Sequence, residues 1–149
     1  VNSASFARPS GTARNYYYQA IQATTYTAGT YSFSSSSSID TYGYLYESSF
    51  DPSHPSYNLI ASDDDGAGDR QFQISRYLQS GRKYILVVTT YTAGATGSFS
   101  VRVIGPSSVS LVRITPTSRS IRTSIECLSD DLSYFKIATL YLCLFLYSF

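Results

Sequence analysis

The chain of 149 residues carries eleven Lys and Arg against ten Asp and Glu, a net charge of +1, with fifteen Tyr, eight Phe and no Met or Trp. That length suits one domain with a single core, and a charge this close to neutral leaves no field of one sign to gather nucleic acid or an anionic membrane surface. Abundant aromatic, Ser and Thr residues with only two Lys make a strand-forming composition in which helix formers are scarce.

Residues 1–15, rich in Ser, Ala, Arg and Gly and containing Pro9, read as an irregular lead-in. They lack the charged and apolar regions of a signal peptide. A chain that starts at Val1 and contains no Met reads as a fragment, a processed form or one module of something longer.

From Tyr16 onward short strand-like runs alternate with turn residues, the spacing of an all-β sandwich. The first run covers 16–23. In 30–35, Tyr31 and Phe33 alternate with Thr30, Ser32 and Ser34, the period of a strand with one wet face. Residues 42–47 place Tyr44 and Tyr46 on one face and Leu45 on the other, and Pro52 and Pro55 then mark 48–57 as a loop. A short strand over 58–62 ends at an acid cluster. Phe72 and Ile74 share a face of 71–75, and Leu78 plugs the base of the core before the Gly81 turn. Residues 84–90 are nearly apolar on both faces and predict a central strand. Phe99, Val101 and Val103 point inward from 98–104 with Ser100 and Arg102 outward, and a last strand spans 109–114. The expected fold is an antiparallel β-sandwich, jelly-roll-like, of about eight strands over residues 16–114. Tyr26, Thr27, Ala28 and Gly29 are echoed by Tyr91, Thr92, Ala93 and Gly94, which reads as two similar hairpin-like connections, since Gly-containing turns converge readily.

Residues 115–125 form a Ser, Thr and Arg-rich linker with Pro116, and 126–149 a hydrophobic tail. Its apolar run after Lys136 is shorter than the roughly 18 residues of a membrane span, so the tail reads as foreign to the domain, the other reading being a truncated anchor that would bring a membrane into contact. Cys127 and Cys143 both fall in it, leaving the first 126 residues to hold together by packing without a disulfide framework.

Nucleophilic catalysis needs a Ser or Cys beside an oriented base. The one histidine, His54, sits in the Pro-rich loop, and no Gly-x-Ser-x-Gly elbow is present. Glu47 and the acids of 63–69 leave a small carboxylate-dependent, carbohydrate-active hydrolase as the alternative to a non-catalytic domain. Asp63, Asp64, Asp65 and Asp69, spaced by Gly66 and Gly68, offer the clustered hard oxygens that calcium prefers, with Asp40 an added ligand if its strand end lies beside the loop. The spacing is not that of an EF-hand, and the other reading is a solvated turn relieved by Arg70. Tyr31, Tyr46 and Tyr84 fit core positions. Tyr42, Tyr44, Tyr57 and Tyr91 belong to a larger tyrosine set that cannot all be internal, and these four are the candidate ligand-binding residues. Ordinary cross-strand aromatic pairing is the competing explanation.

Several of these stretches together resemble a family. Gly29, Thr30, Tyr31, Ser32 and Phe33 form a Gly-Thr-Tyr-Ser-Phe strand, Asp40 precedes the strand with Leu45 and Tyr46, and Asp51 and Pro52 make an Asp-Pro loop. Asn58, Leu59 and Ile60 lead to Asp63, Asp64, Asp65 and Gly66, Leu78, Gly81, Tyr84, Val87 and Val88 give Leu-x-x-Gly-x-x-Tyr-x-x-Val-Val, and Gly97 to Val101 reads Gly-Ser-Phe-Ser-Val. In this order, over residues 17–104, they resemble the pre-peptidase C-terminal (PPC) domain of bacteria or a eukaryotic relative. The resemblance implies a jelly-roll sandwich attached to secreted hydrolases or repeated in extracellular proteins, non-catalytic, with some members binding calcium or polymers such as collagen and glycans. The implied role is a secreted binding or spacer module whose partner is a glycan, a matrix protein or a neighbouring domain of the parent chain. The tyrosine content, the serine run 34–38 and the tail depart from the family pattern.

Overall fold

A computed structural model describes residues 4–9, 11, 13 and 15–114, together with the backbone of Lys136–Leu140. Among the described residues the strands are β1 (Ser5–Phe6), β2 (Tyr16–Thr25), β3 (Gly29–Ser37), β4 (Thr41–Glu47), β5 (Leu59–Asp63), β6 (Gln73–Leu78), β7 (Lys83–Thr90), β8 (Phe99–Gly105), β9 (Val109–Ile114) and β10 (Lys136–Leu140), with no helix. They form two antiparallel sheets. One runs β1-β2-β7-β4-β5, with β9 on the same edge of β2 as β1, and the other runs β10-β8-β3-β6. From β2 to β9 every connection except β4 to β5 crosses from one sheet to the other, so the chain wraps around a common core as the jelly-roll-like expectation required.

Alternation accounts for the layers. Tyr31 and Phe33 of β3, Ile74 and Leu78 of β6, and Phe99, Val101 and Val103 of β8 face Ile21, Ala23, Leu45, Leu86 and Val88 of the larger sheet. β7 lies between β2 and β4 and is buried on both faces, as its unbroken apolar run predicts. Gly43 on β4 is required by close approach, because a Cβ there would stand 2.6 Å from the Phe72 ring.

The outward face of the larger sheet is also covered. Phe6, Tyr16, Ala20, Tyr44, Tyr46, Ile85 and Val87 make a second apolar cluster, closed by Phe50 from the Pro-rich loop. The lead-in therefore contributes a paired strand and a buried ring, since Ser5 and Phe6 align with Tyr17 and Tyr16 and Phe6 is buried. β10 pairs with the free edge of β8, Lys136 opposite Gly105 and Leu140 opposite Val101. The expected linker, both cysteines and the remainder of the tail lie outside the described residues.

Candidate functional site: an acidic corner and an aromatic face

β4 begins one residue after Asp40, and β5, its antiparallel neighbour, ends at Asp63, so strand pairing carries the two acidic stretches to the same end of the sheet. Asp40, Asp64 and Asp65 bring one carboxylate oxygen each within 4.8 Å of one another. Asp40 Oδ1 and Asp64 Oδ1 are shielded from solvent and accept no hydrogen bond among the described residues. Burial, reinforced by the charges of Asp65 and Asp40, holds the Asp64 carboxyl above its ordinary value, with Arg8 pulling the other way.

The remaining acids have other work. Asp63 Oδ2 accepts the amides of Gly66 at 2.7 Å and Gln73 at 2.8 Å, which closes the loop and joins it to β6. A Cβ on Gly66 would lie 2.5 Å from that oxygen, so only Gly allows the closure. Asp69 stands outside the cluster, at φ 52° in a left-handed run with Gly68 and Arg70. The structure thus gathers Asp40, Asp64 and Asp65 of the five expected ligands and sets Asp63 and Asp69 apart from them.

Gln71, which the sequence reading passed over, ties the corner together. It is 8% exposed, and its Nε2 donates to the carbonyls of Ile39 at 3.0 Å, Arg70 at 2.8 Å and Asp69 at 3.3 Å. The Thr41 amide donates to the Arg70 carbonyl, so the strand end that carries Asp40 and the loop that carries Asp64 and Asp65 share one buried network. A lone Gln after a charged turn gives no sequence signal of this role.

The four candidate tyrosines do not form one exposed row. Tyr44 is 1% exposed and belongs to the second apolar cluster, stacked on Tyr42 at 4.8 Å between ring centroids and in edge contact with Phe6. This corrects the placing of Tyr44 among the candidate ligand-binding residues, since its ring is part of a core. Of the covering rings, Phe6 comes from a segment distant in sequence and Phe50 from the loop that follows β4. Tyr42 is half-buried beneath Arg8. Tyr57, 72% exposed, packs beside His54 in the Pro-rich loop, whereas Tyr91, 50% exposed, lies near Arg8 and donates its backbone amide to the Asp40 carbonyl. Tyr57 and Tyr91 therefore mark opposite ends of the larger sheet.

Ser53, His54 and Asp51 touch one another but make a turn cap. Ser53 Oγ and Asp51 Oδ2 both approach the same ring nitrogen, His54 Nδ1, at 3.1 and 3.0 Å, whereas a relay needs the acid and the hydroxyl on opposite nitrogens. Bonds from Ser53 and His54 lower the Asp51 pKa to about 2. Glu47 is paired with Arg82, and because Asp63 aligns with Gly43, Glu47 stands four residues along the strand, about 13 Å away. This is a separation of backbone positions, and the Arg82 ion pair already engages the Glu47 carboxylate. A cavity of about 210 Å³ lined by Tyr18, Ala20, Gln22, Phe50, Lys83 and Ile85 opens on the outer face, below the range typical of small-molecule sites.

No helix among the described residues is long and apolar enough to cross a membrane. Comparison with protein-family models, curated proteins and solved structures finds no match to the chain.

Proposed function

We propose that the chain is a non-catalytic extracellular binding or spacer module of the PPC-like kind, whose acidic corner takes up a calcium ion. The observation that carries this reading is the convergence of Asp40, Asp64 and Asp65 from two separate loops, with solvent-shielded oxygens on Asp40 and Asp64 that have no hydrogen-bond partner. Three carboxylates can offer up to six hard oxygens, and waters would complete a shell of six to eight. The ion would relieve the mutual repulsion of the three charges and fix the loop after β5 against the start of β4. A non-catalytic role accords with His54 being held in a turn cap and Glu47 in an ion pair. Exposed Tyr57 and Tyr91 then offer two separate aromatic contacts for a glycan, a matrix protein or a neighbouring domain.

The test is thermal melting in chelator, in millimolar calcium and in millimolar magnesium. Calcium binding only the folded state raises the melting temperature by mass action, chelator reverses the rise, and Asp64→Asn with Asp65→Asn abolishes it. Magnesium does less, because an irregular loop suits the flexible calcium shell better than a strict octahedron. A melting curve unmoved by calcium removes the metal from the account.

A further inference from the structure

The N-terminal arm sits on the sheet as a short peptide sits on a receptor. Phe6 and Arg8 are two residues apart, and both side chains lie against tyrosines of β2 and β4. Phe6 fits among Tyr18, Tyr44 and Phe50, with ring centroids at 5.2, 6.2 and 5.6 Å and each contact edge-on. Arg8, 8% exposed, places its guanidinium carbon 4.4 Å from the Tyr16 ring centroid, 4.6 Å from Tyr42 and 5.5 Å from Tyr91. Its Nη1 donates to the Thr90 carbonyl at 3.0 Å.

The two sockets have the same pitch as the arm. Tyr16 and Tyr18 are alternate residues of β2, Tyr42 and Tyr44 alternate residues of β4, and each pair gives one ring to the arginine and one to the phenylalanine. Strand pleating therefore sets a spacing that reads an aromatic residue and a cation two positions apart. The backbone hold is slight by comparison, with β1 only two residues long and the Tyr18 amide donating to Ala4 at 3.2 Å.

Beyond the Phe6 socket the face continues into the cavity lined by Tyr18, Ala20, Gln22, Phe50 and Ile85, two of whose residues also touch Phe6. Going from Arg8 to Phe6 follows Tyr16 to Tyr18 and Tyr42 to Tyr44, and Ala20, Gln22 and Ile85 lie further in that direction. The residue two before Phe6 is Ala4, which offers only a methyl group.

We propose that this face is a peptide-docking groove for an extended partner segment of the pattern apolar-x-Phe-x-Arg, and that Ala4–Arg8 is its resident occupant, matching two of the three positions. The cavity favours a partner segment over the arm of a second copy, because a second copy would also bring Ala4. Arg is preferred to Lys, since the planar guanidinium stacks on tyrosine faces and can still donate to a carbonyl. This inference does not rest on the calcium reading, although Arg8 also acts on Asp64 through its charge.

The experiment uses the full chain with Phe6→Ala and Arg8→Ala, titrated with labelled Ala-Ser-Phe-Ala-Arg-Pro and with the same peptide carrying Leu in first place. The folded variant is expected to bind with saturation at about 1 mM peptide or below, while the unsubstituted chain, whose own arm competes at a high effective concentration, binds at least about tenfold more weakly. Leu in first place tightens binding, and replacing the peptide Phe or Arg with Ala abolishes it. A folded variant that binds neither peptide overturns the proposal. So does a variant that fails to fold, because the arm is then a strand of the core. A Leu peptide no tighter than the Ala peptide, or an unsubstituted chain whose dimer disappears in the variant, gives the groove to the chain's own arm and overturns the partner claim.

Discussion

Replacing Asp64 with Asn separates the cost of the acidic corner from its use. Asp64 shares the corner with Asp40 and Asp65, their oxygens within 4.8 Å of one another, and two unit charges at that distance repel by about 1 kcal/mol in water. Two such pairs give about 2 kcal/mol, which solvent screening and the attraction of Arg8 reduce to about 1 kcal/mol at a partly exposed site. Asp64→Asn removes this charge while keeping the side-chain shape, and its amide can donate to the unpartnered Asp40 Oδ1. In chelator at pH 7 and low salt the variant should melt about 4 °C above the unsubstituted protein, the shift that 1 kcal/mol gives a domain of roughly 100 ordered residues. The sign with pH follows from the raised pKa. The fold favours the protonated carboxyl, so the contribution of Asp64 supports the fold below the ordinary value of 3.8 and is lost as pH rises through the higher folded value. The calcium-free protein therefore gains stability from Asp64 on acidification, and the variant lacks that gain. Differential scanning calorimetry at 20 mM and 500 mM NaCl reads both effects, with the gap shrinking as salt rises. A variant less stable than the parent in chelator at both salt concentrations would refute the repulsion argument.

Tyr44→Ala should cost about 3–5 kcal/mol in denaturant unfolding, as a buried ring does, while Tyr57→Ala should stay within about 0.5 kcal/mol; equal effects would mean that the second apolar cluster is not a core. Gln71→Ala leaves three carbonyl contacts without their donor and should cost about 1–3 kcal/mol. It should also weaken calcium binding measured by titration, and unchanged affinity would show that the corner does not depend on this network. Asp51 has a lowered pKa, so its contribution holds above 3.8 and is lost as pH falls through about 2. The Ser53 amide, which donates to its carboxylate, should titrate near pH 2 by NMR; a midpoint near 4 would rule out the capped turn.

Strands were legible where the apolar pattern was strict, whether alternating or continuous. β3, β7 and β8 follow from the periods of Tyr31 and Phe33, of the apolar run 84–90, and of Phe99, Val101 and Val103. Period two also separated Leu45 from Tyr44 and Tyr46, but it reports faces and not what covers them. Phe6 and Phe50 lie in segments with no period, so the burial of Tyr44 was invisible. The approach of Asp40 to the acid loop could be anticipated from two strand ends. The division between Asp64 and Asp65, which converge with Asp40, and Asp63, which closes a turn, depends on side-chain directions that three consecutive aspartates cannot announce. Arg8 was hidden for a related reason, since its tyrosine contacts come from β2, β4 and the turn after β7.

The most direct measurement is calorimetric titration of calcium into the chelator-treated full chain at pH 7, beside the Asp64→Asn, Asp65→Asn variant. The account requires saturable binding of one ion per chain at millimolar concentration or below, lost in the variant while its fold persists. No heat of binding, or identical heats for the two proteins, would contradict it.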